Sequence, residues 1–89
     1  MTWEKNASDT LDKLVQVVRD PFRSIILSNA QMHAEAYATA RKSPHVTPRE
    51  AVLGFLRARS HKITSEGRLI LAEHQLDEND FLNYPGAKT

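Results

Sequence analysis

Cysteine is absent from the 89 residues. That excludes disulfides, thiolate metal sites and thiol nucleophiles. No apolar run approaches the roughly 18–20 residues of a membrane span. The opening Met1-Thr2-Trp3-Glu4-Lys5-Asn6 lacks the apolar stretch of a secretory signal. The expected location is cytoplasmic, with no membrane partner. Glycine is scarce and scattered: Gly54, Gly67 and Gly86 each stand alone, so no Gly-rich loop is present to cradle a phosphate. Charge of either sign is not in excess, since the net charge is +1, and bulk electrostatics select no partner. No segment alternates apolar and polar residues as a half-buried strand would.

What is present is helical periodicity with strong start signals. Leu11, Leu14, Val15 and Val18 fall on one helical face, and Asn6 is placed to cap a helix over 7–19. Asp20-Pro21 pairs a preferred N-cap with proline at the first helical position, which predicts a long second helix over 21–42. Its expected inward stripe is Phe22, Ile25, Ile26, Ala30, His33, Ala36, Tyr37 and Ala40. Its second half is thinned by alanines, which let a neighbouring helix come close. Thr47-Pro48-Arg49-Glu50 spells a capping box and starts a third helix over 48–59, with Val52, Phe55 and Leu56 inward. Gly54 in mid-helix costs about 1 kcal/mol against alanine, a cost that a close backbone approach would justify. Thr64 is expected to cap a fourth helix over 65–75, and Asp77 a fifth over 78–83. The expected fold is all-α: a small helical domain of about five helices with one long central helix. It spans residues 1–84, and a flexible tail follows at 85–89.

A chain of this length buries only roughly 60–65% of its unfolded surface, so oligomerisation is a natural source of further stability. Charge is segregated even though it balances. The middle of the chain is basic and the end, with Glu73, Asp77, Glu78 and Asp80, is acidic. Arg57, Arg59, His61, Lys62 and Arg68 mark a candidate partner or anion surface. As a helix-turn-helix, helices 3 and 4 are poorly equipped. The second would begin Ser65-Glu66-Gly67-Arg68, acidic where phosphate and base edges favour Arg, Lys, Asn and Gln.

Catalytic constellations are missing. None of the four histidines stands at the i, i+4 spacing of a helical two-histidine metal face, and no metal site is expected. Asp77, Glu78 and Asp80 sit where a helix start favours acids. Serines and threonines take capping positions rather than standing beside a base. His33 and Tyr37 share a helical face and are the candidate contacts for a planar cofactor, although no cofactor is required by anything else in the chain.

Two resemblances follow. Trp3, Ala7, Leu11, Leu14, Val18 and Arg19, then Glu35, Ala38, Val46 and Thr47, are similar to the pattern of the PCP reductase-like helical module. That module closes the B subunit of light-independent protochlorophyllide reductase and also occurs in short stand-alone relatives. The match covers roughly residues 3–52, with extra residues in helix 2. The Pro-Phe that the module carries before its Val-Arg is absent. The resemblance implies an accessory helical module near a tetrapyrrole or redox enzyme, and it implies no catalytic residue here. The short–long–short helix order, with Val46-Thr47 opening helix 3, is also similar to a histone fold, an obligate dimer whose long helix is covered by its partner.

Together these features lead to the expectation of a non-catalytic helical interaction or accessory protein, a subunit or assembly factor of a larger complex. A protein partner or a homodimer is expected. The alternative is a nucleic-acid-binding helical domain, histone-fold-like or helix-turn-helix.

Overall fold

The structure, a computed structural model, describes residues 1–19, 21–60 and 62–84. Asp20, the expected cap of helix 2, and the expected tail at 85–89 lie outside the described residues. In chain order the elements are β1 (Thr2–Trp3), α1 (Lys5–Val15), α2 (Phe22–Ala40), β2 (His45–Val46), α3 (Pro48–Arg59), α4 (Ser65–Glu73) and α5 (Glu78–Leu82).

All-α is therefore corrected to mostly helical. β1 and β2 form a two-stranded parallel pair, with Thr2 opposite His45 and Trp3 opposite Val46. Two residues are too short a strand for alternation to show, and the pairing joins distant parts of the chain. The pair also sets where α1 begins. The Glu4 N–H donates to the Val46 carbonyl at 3.0 Å, and Glu4, not Asn6, is the N-cap. α1 then buries Ala7, Leu11 and Val15 at i, i+4 and i+8. It stops at Val15, short of the expected 19. The Arg23 guanidinium donates to the Val18 and Gln16 carbonyls beyond its end.

The long helix and the central helix are two different helices. α2 is the longest, at 19 residues. α3 is the one that packs against α1, α2, α4 and α5. The expected capping box starts α3: Glu50 Oε1 accepts from the Thr47 N–H at 3.0 Å and from its hydroxyl at 2.6 Å. Every residue from Glu50 to Leu56 is buried, so α3 is covered on all sides.

Gly54 explains how α3 can be so deep. A Cβ there would lie 2.5 Å from the Ala30 carbonyl oxygen and 2.6 Å from the Ala34 nitrogen, so the two helix backbones touch at this point. This contact also corrects the expected stripe of α2. Ala30 and Tyr37 of that stripe are buried and Ile26 packs on the core, but the other buried residues are Ala34 and Ala38, while Phe22 and Ile25 face outward. The core contact uses the small side chains, because only they let α3 come close enough.

The expected caps of the last two helices form. Thr64 Oγ1 accepts from the Gly67 N–H at 3.0 Å. Asp77 caps α5, with Asp80 Oδ2 reaching back to the Asp77 N–H at 3.0 Å. Phe81 is fully buried, and half-buried Leu76 packs on the same core. None of the described helices is long and apolar enough to cross a membrane.

Candidate functional site

The outward face of α2 is built by its sequence. With about 100° per residue, Phe22, Ile25, Asn29, Met32, Ala36 and Ala40 fall within about 80° of arc. Phe22, Ile25 and Met32 point away from the Ala30 and Ala34 contact, Asn29 and Ala36 are half-buried, and Ala40 borders a cleft lined by Arg41, Arg49, Glu50 and Asp80. Phe22 is 62% exposed, and Ile25 and Met32 are each 58% exposed. A surface helix ordinarily places charged residues on this side. Here the helix carries only Arg23 and Glu35 as charged residues, and both are tied within the chain. Arg23 donates to the α1–α2 connection, and Glu35 accepts from the Trp3 indole N–H at 3.0 Å. The outward face itself has no charge. The sequence signal for it was present, in the large residues Phe22 and Ile25 and the scarcity of charge, but periodicity assigned it to the core.

His33 and Tyr37, the candidate cofactor contacts, do come together, with Tyr84 between them. The Tyr84 ring lies edge-on to both, at centroid distances of 5.2 and 5.1 Å. Its hydroxyl pairs with His33 Nδ1. Tyr37 donates its hydroxyl to the Phe81 carbonyl at 2.7 Å. Burial raises the Tyr37 phenol above its ordinary value, and the neighbouring Arg57 partly offsets this. The space between the two side chains is thus filled by the chain's own aromatic ring.

The candidate basic surface is divided. Arg57 points inward: it donates to the Phe81 carbonyl at 2.8 Å and lies 4.2 Å from the Phe81 ring centroid and 4.7 Å from that of Tyr84. It pins the chain after α5 to the core. Arg59 pairs with Glu66 at 3.3 Å, and Arg68 with Glu78 at 3.3 Å. Lys62 is exposed, and His61 lies outside the described residues. Arg59 and Lys62 also border a groove of about 320 Å³ at the α3–α4 turn, whose apolar wall includes Leu56, Ile63 and Ile70.

A second polar cluster was not singled out by sequence. The Glu50 side chain is 1% exposed. Its Oε2 receives no hydrogen bond, but Arg49 Nε and Arg41 Nη1 stand 3.5 and 3.6 Å away. Arg49 continues to Asp80 at 2.7 Å. The Asp80 carboxyl is held below the usual range, chiefly by the Asp77 backbone N–H, with Arg49 adding to it and burial opposing. The two arginines balance the two carboxylates in formal charge, and they border a cleft of about 180 Å³. Only the capping role of Glu50 was legible in the chain, from its spacing to Thr47. Asp77, Glu78 and Asp80 serve as caps and ties of α5.

Among the described residues no group of three or more His, Asp or Glu stands close enough to hold a metal ion. No known family model, no curated protein and no solved structure matches this chain.

Proposed function

We propose that this protein is a non-catalytic helical interaction module that presents the outward face of α2 to an apolar, uncharged surface of a protein partner. One observation carries the reading. A 19-residue helix lies on the surface with no charge on its outward side and with Phe22, Ile25 and Met32 each more than half exposed. Scattered exposed apolar residues are ordinary; aligned ones on an uncharged helix face are the pattern of a helix that meets a partner. The resemblance to the reductase module supports an accessory role of this kind. Several of the residues that carry it are packing positions. Ala7, Leu11, Ala38 and Val46 are buried, and Trp3 holds Glu35. They support a shape and indicate no chemistry.

A phosphate-binding reading has less support. Arg57 lies on two aromatic rings inside the fold, while Arg59 and Arg68 each hold a carboxylate.

The test is the native size of the tagged protein in extract of its own cells. Wild type is expected above monomer mass, and Met32→Glu is expected to bring it down to monomer mass. A wild type that runs as a monomer in extract, or a Met32→Glu variant of unchanged size, overturns the proposal.

A further inference from the structure

The cleft at the start of α3 brings together two groups with unused hydrogen-bonding capacity. Glu50 Oε1 is occupied, because the Thr47 N–H and hydroxyl both donate to it. Glu50 Oε2 lines the cleft, is buried and accepts no hydrogen bond. Arg41 lines the same cleft from the solvent side, with its side chain 47% exposed. Its guanidinium donates no hydrogen bond to a described residue, and its one ion pair is with Glu50 Oε2, at 3.6 Å. A buried acceptor thus lacks a donor, and a half-exposed cation lacks an acceptor. We propose that this cleft binds a free α-amino acid with a small apolar side chain, its ammonium on Glu50 Oε2 and its carboxylate on Arg41.

Spacing is the first argument. In an α-amino acid the two head groups hang on one carbon, about 3 Å apart by standard bond lengths. Arg41 Nη1 and Glu50 Oε2 are separated by a similar 3.6 Å. Laid head to tail, the four charges alternate around a quadrilateral, each beside two of opposite sign. The ammonium donates to the orphaned oxygen, and the planar guanidinium offers paired N–H groups to the carboxylate.

Charge is the second. Arg49 is engaged with Asp80 at 2.7 Å, so that pair closes on itself. Arg41 and Glu50 are left, and together they carry no net charge. A plain anion meets Glu50 and a plain cation meets Arg41, whereas a zwitterion meets an opposite charge at each end.

Size is the third. The cleft, at about 180 Å³, is too large for one water of about 30 Å³. It is also smaller than the roughly 300 Å³ at which drug-sized pockets begin. Ala40, Leu53 and the Tyr37 ring supply the apolar part of its lining. The carboxylate is also preorganised, because the capping box fixes Glu50 before any ligand arrives.

The site is separate from exposed Phe22, Ile25 and Met32, so it stands or falls independently of the partner reading. The test is a titration of the isotope-labelled full chain with L-alanine, L-valine and L-leucine, followed by amide chemical shifts. Saturable shifts at Arg41, Arg49 and Glu50 are expected, with a dissociation constant of about 1 mM for so small a ligand. Isobutylamine and isovalerate are valine without its carboxylate and without its amine. Each is expected to bind at least tenfold more weakly than L-valine. Arg41→Gln is expected to weaken L-valine at least tenfold with thermal midpoint unchanged, since the Arg41 side chain is half-exposed. Glu50→Gln is expected to abolish binding; if that buried change unfolds the chain, Arg41→Gln carries the test. No saturable shift with any of the three amino acids at tens of millimolar overturns the proposal. Isovalerate that binds as tightly as L-valine also overturns it, because the cleft is then a plain anion site. So does an Arg41→Gln protein that binds L-valine like wild type.

Discussion

α3 is the deeper helix and the more highly charged one. In twelve residues it carries Arg49, Glu50, Arg57 and Arg59, although seven consecutive positions are buried. α2 is longer and covered on one side only, yet it carries two charged residues in nineteen. Burial alone predicts the reverse. The charges of α3 are explained by what they hold. Glu50 closes the capping box, Arg49 reaches Asp80, Arg57 takes the Phe81 carbonyl and Arg59 takes Glu66. They fasten α4, α5 and the chain after α5 to a helix that has no free side. The uncharged outer face of α2 has no such internal explanation, which is why it is read as an interface.

The largest test of that contrast is truncation at matched apolar positions. Phe55→Ala on α3 removes a fully buried ring and is expected to cost about 3–5 kcal/mol, a large share of the roughly 5–15 kcal/mol of a typical domain. Ile25→Ala on α2 is expected to stay within about 0.5 kcal/mol when urea unfolding is followed at low micromolar concentration. Equal losses at the two sites break the comparison, because they place Ile25 in the core of the monomer.

The two helical glycines sharpen it next. Gly54→Ala gains about 1 kcal/mol in helix propensity. Its Cβ, however, meets the Ala30 and Ala34 backbone, which cannot rotate away. A net loss of about 1–2 kcal/mol is expected, seen as a thermal midpoint lower by about 4–8 °C per kcal/mol. Gly67→Ala meets chiefly the Ile63 Cδ1 tip, at 2.8 Å. That side chain can turn, so the steric cost is small against the helix-propensity gain, and the change is expected to be neutral or stabilising by up to about 1 kcal/mol. A Gly54→Ala protein as stable as wild type means that α2 and α3 need no backbone contact.

Element starts were legible where a side chain supplies the cap. Thr47 with Glu50, Thr64 and Asp77 each satisfy amide groups within a few residues, so the sequence carries the whole signal. Ends were less legible. α2 stops at Ala40, where Lys42 takes a left-handed φ of 58° and the Ser43 N–H donates back to the Ala38 carbonyl. α4 ends the same way, with Gln75 at 58° and the Leu76 N–H donating to Leu71. Glycine normally marks such a stop; without it, only Pro44, which disfavours helix at Ser43, bounds α2, and nothing local announces the end of α4. The early start of α1 was hidden for a different reason, since Glu4 is placed by Val46 across the fold. The candidate interface was misassigned because large apolar residues weigh more in periodicity than alanines. Here a glycine on α3 turned Ala34 and Ala38, together with the expected Ala30, into the inner face.

The smallest expected effect concerns how α3 holds α5 by charge. Asp80 accepts from the Asp77 N–H through one oxygen and from Arg49 through the other. Both favour the ionised carboxyl, so its folded value lies below the ordinary one. Between the folded and unfolded values the unfolded chain binds more protons, and stability rises with pH. The contribution is therefore full above the unfolded value of about 4, and it disappears as pH falls through the folded value. The pair is partly exposed, with the Asp80 side chain 26% accessible, so its worth is under about 1 kcal/mol at moderate salt. Asp80→Asn keeps the shape and removes the charge. It is expected to be slightly less stable than wild type at neutral pH, with the gap closing as the solution is acidified from about pH 5 to about pH 2. A gap that stays constant over that range means that Asp80 acts through cap geometry, and that the tie from Arg49 adds nothing of its own.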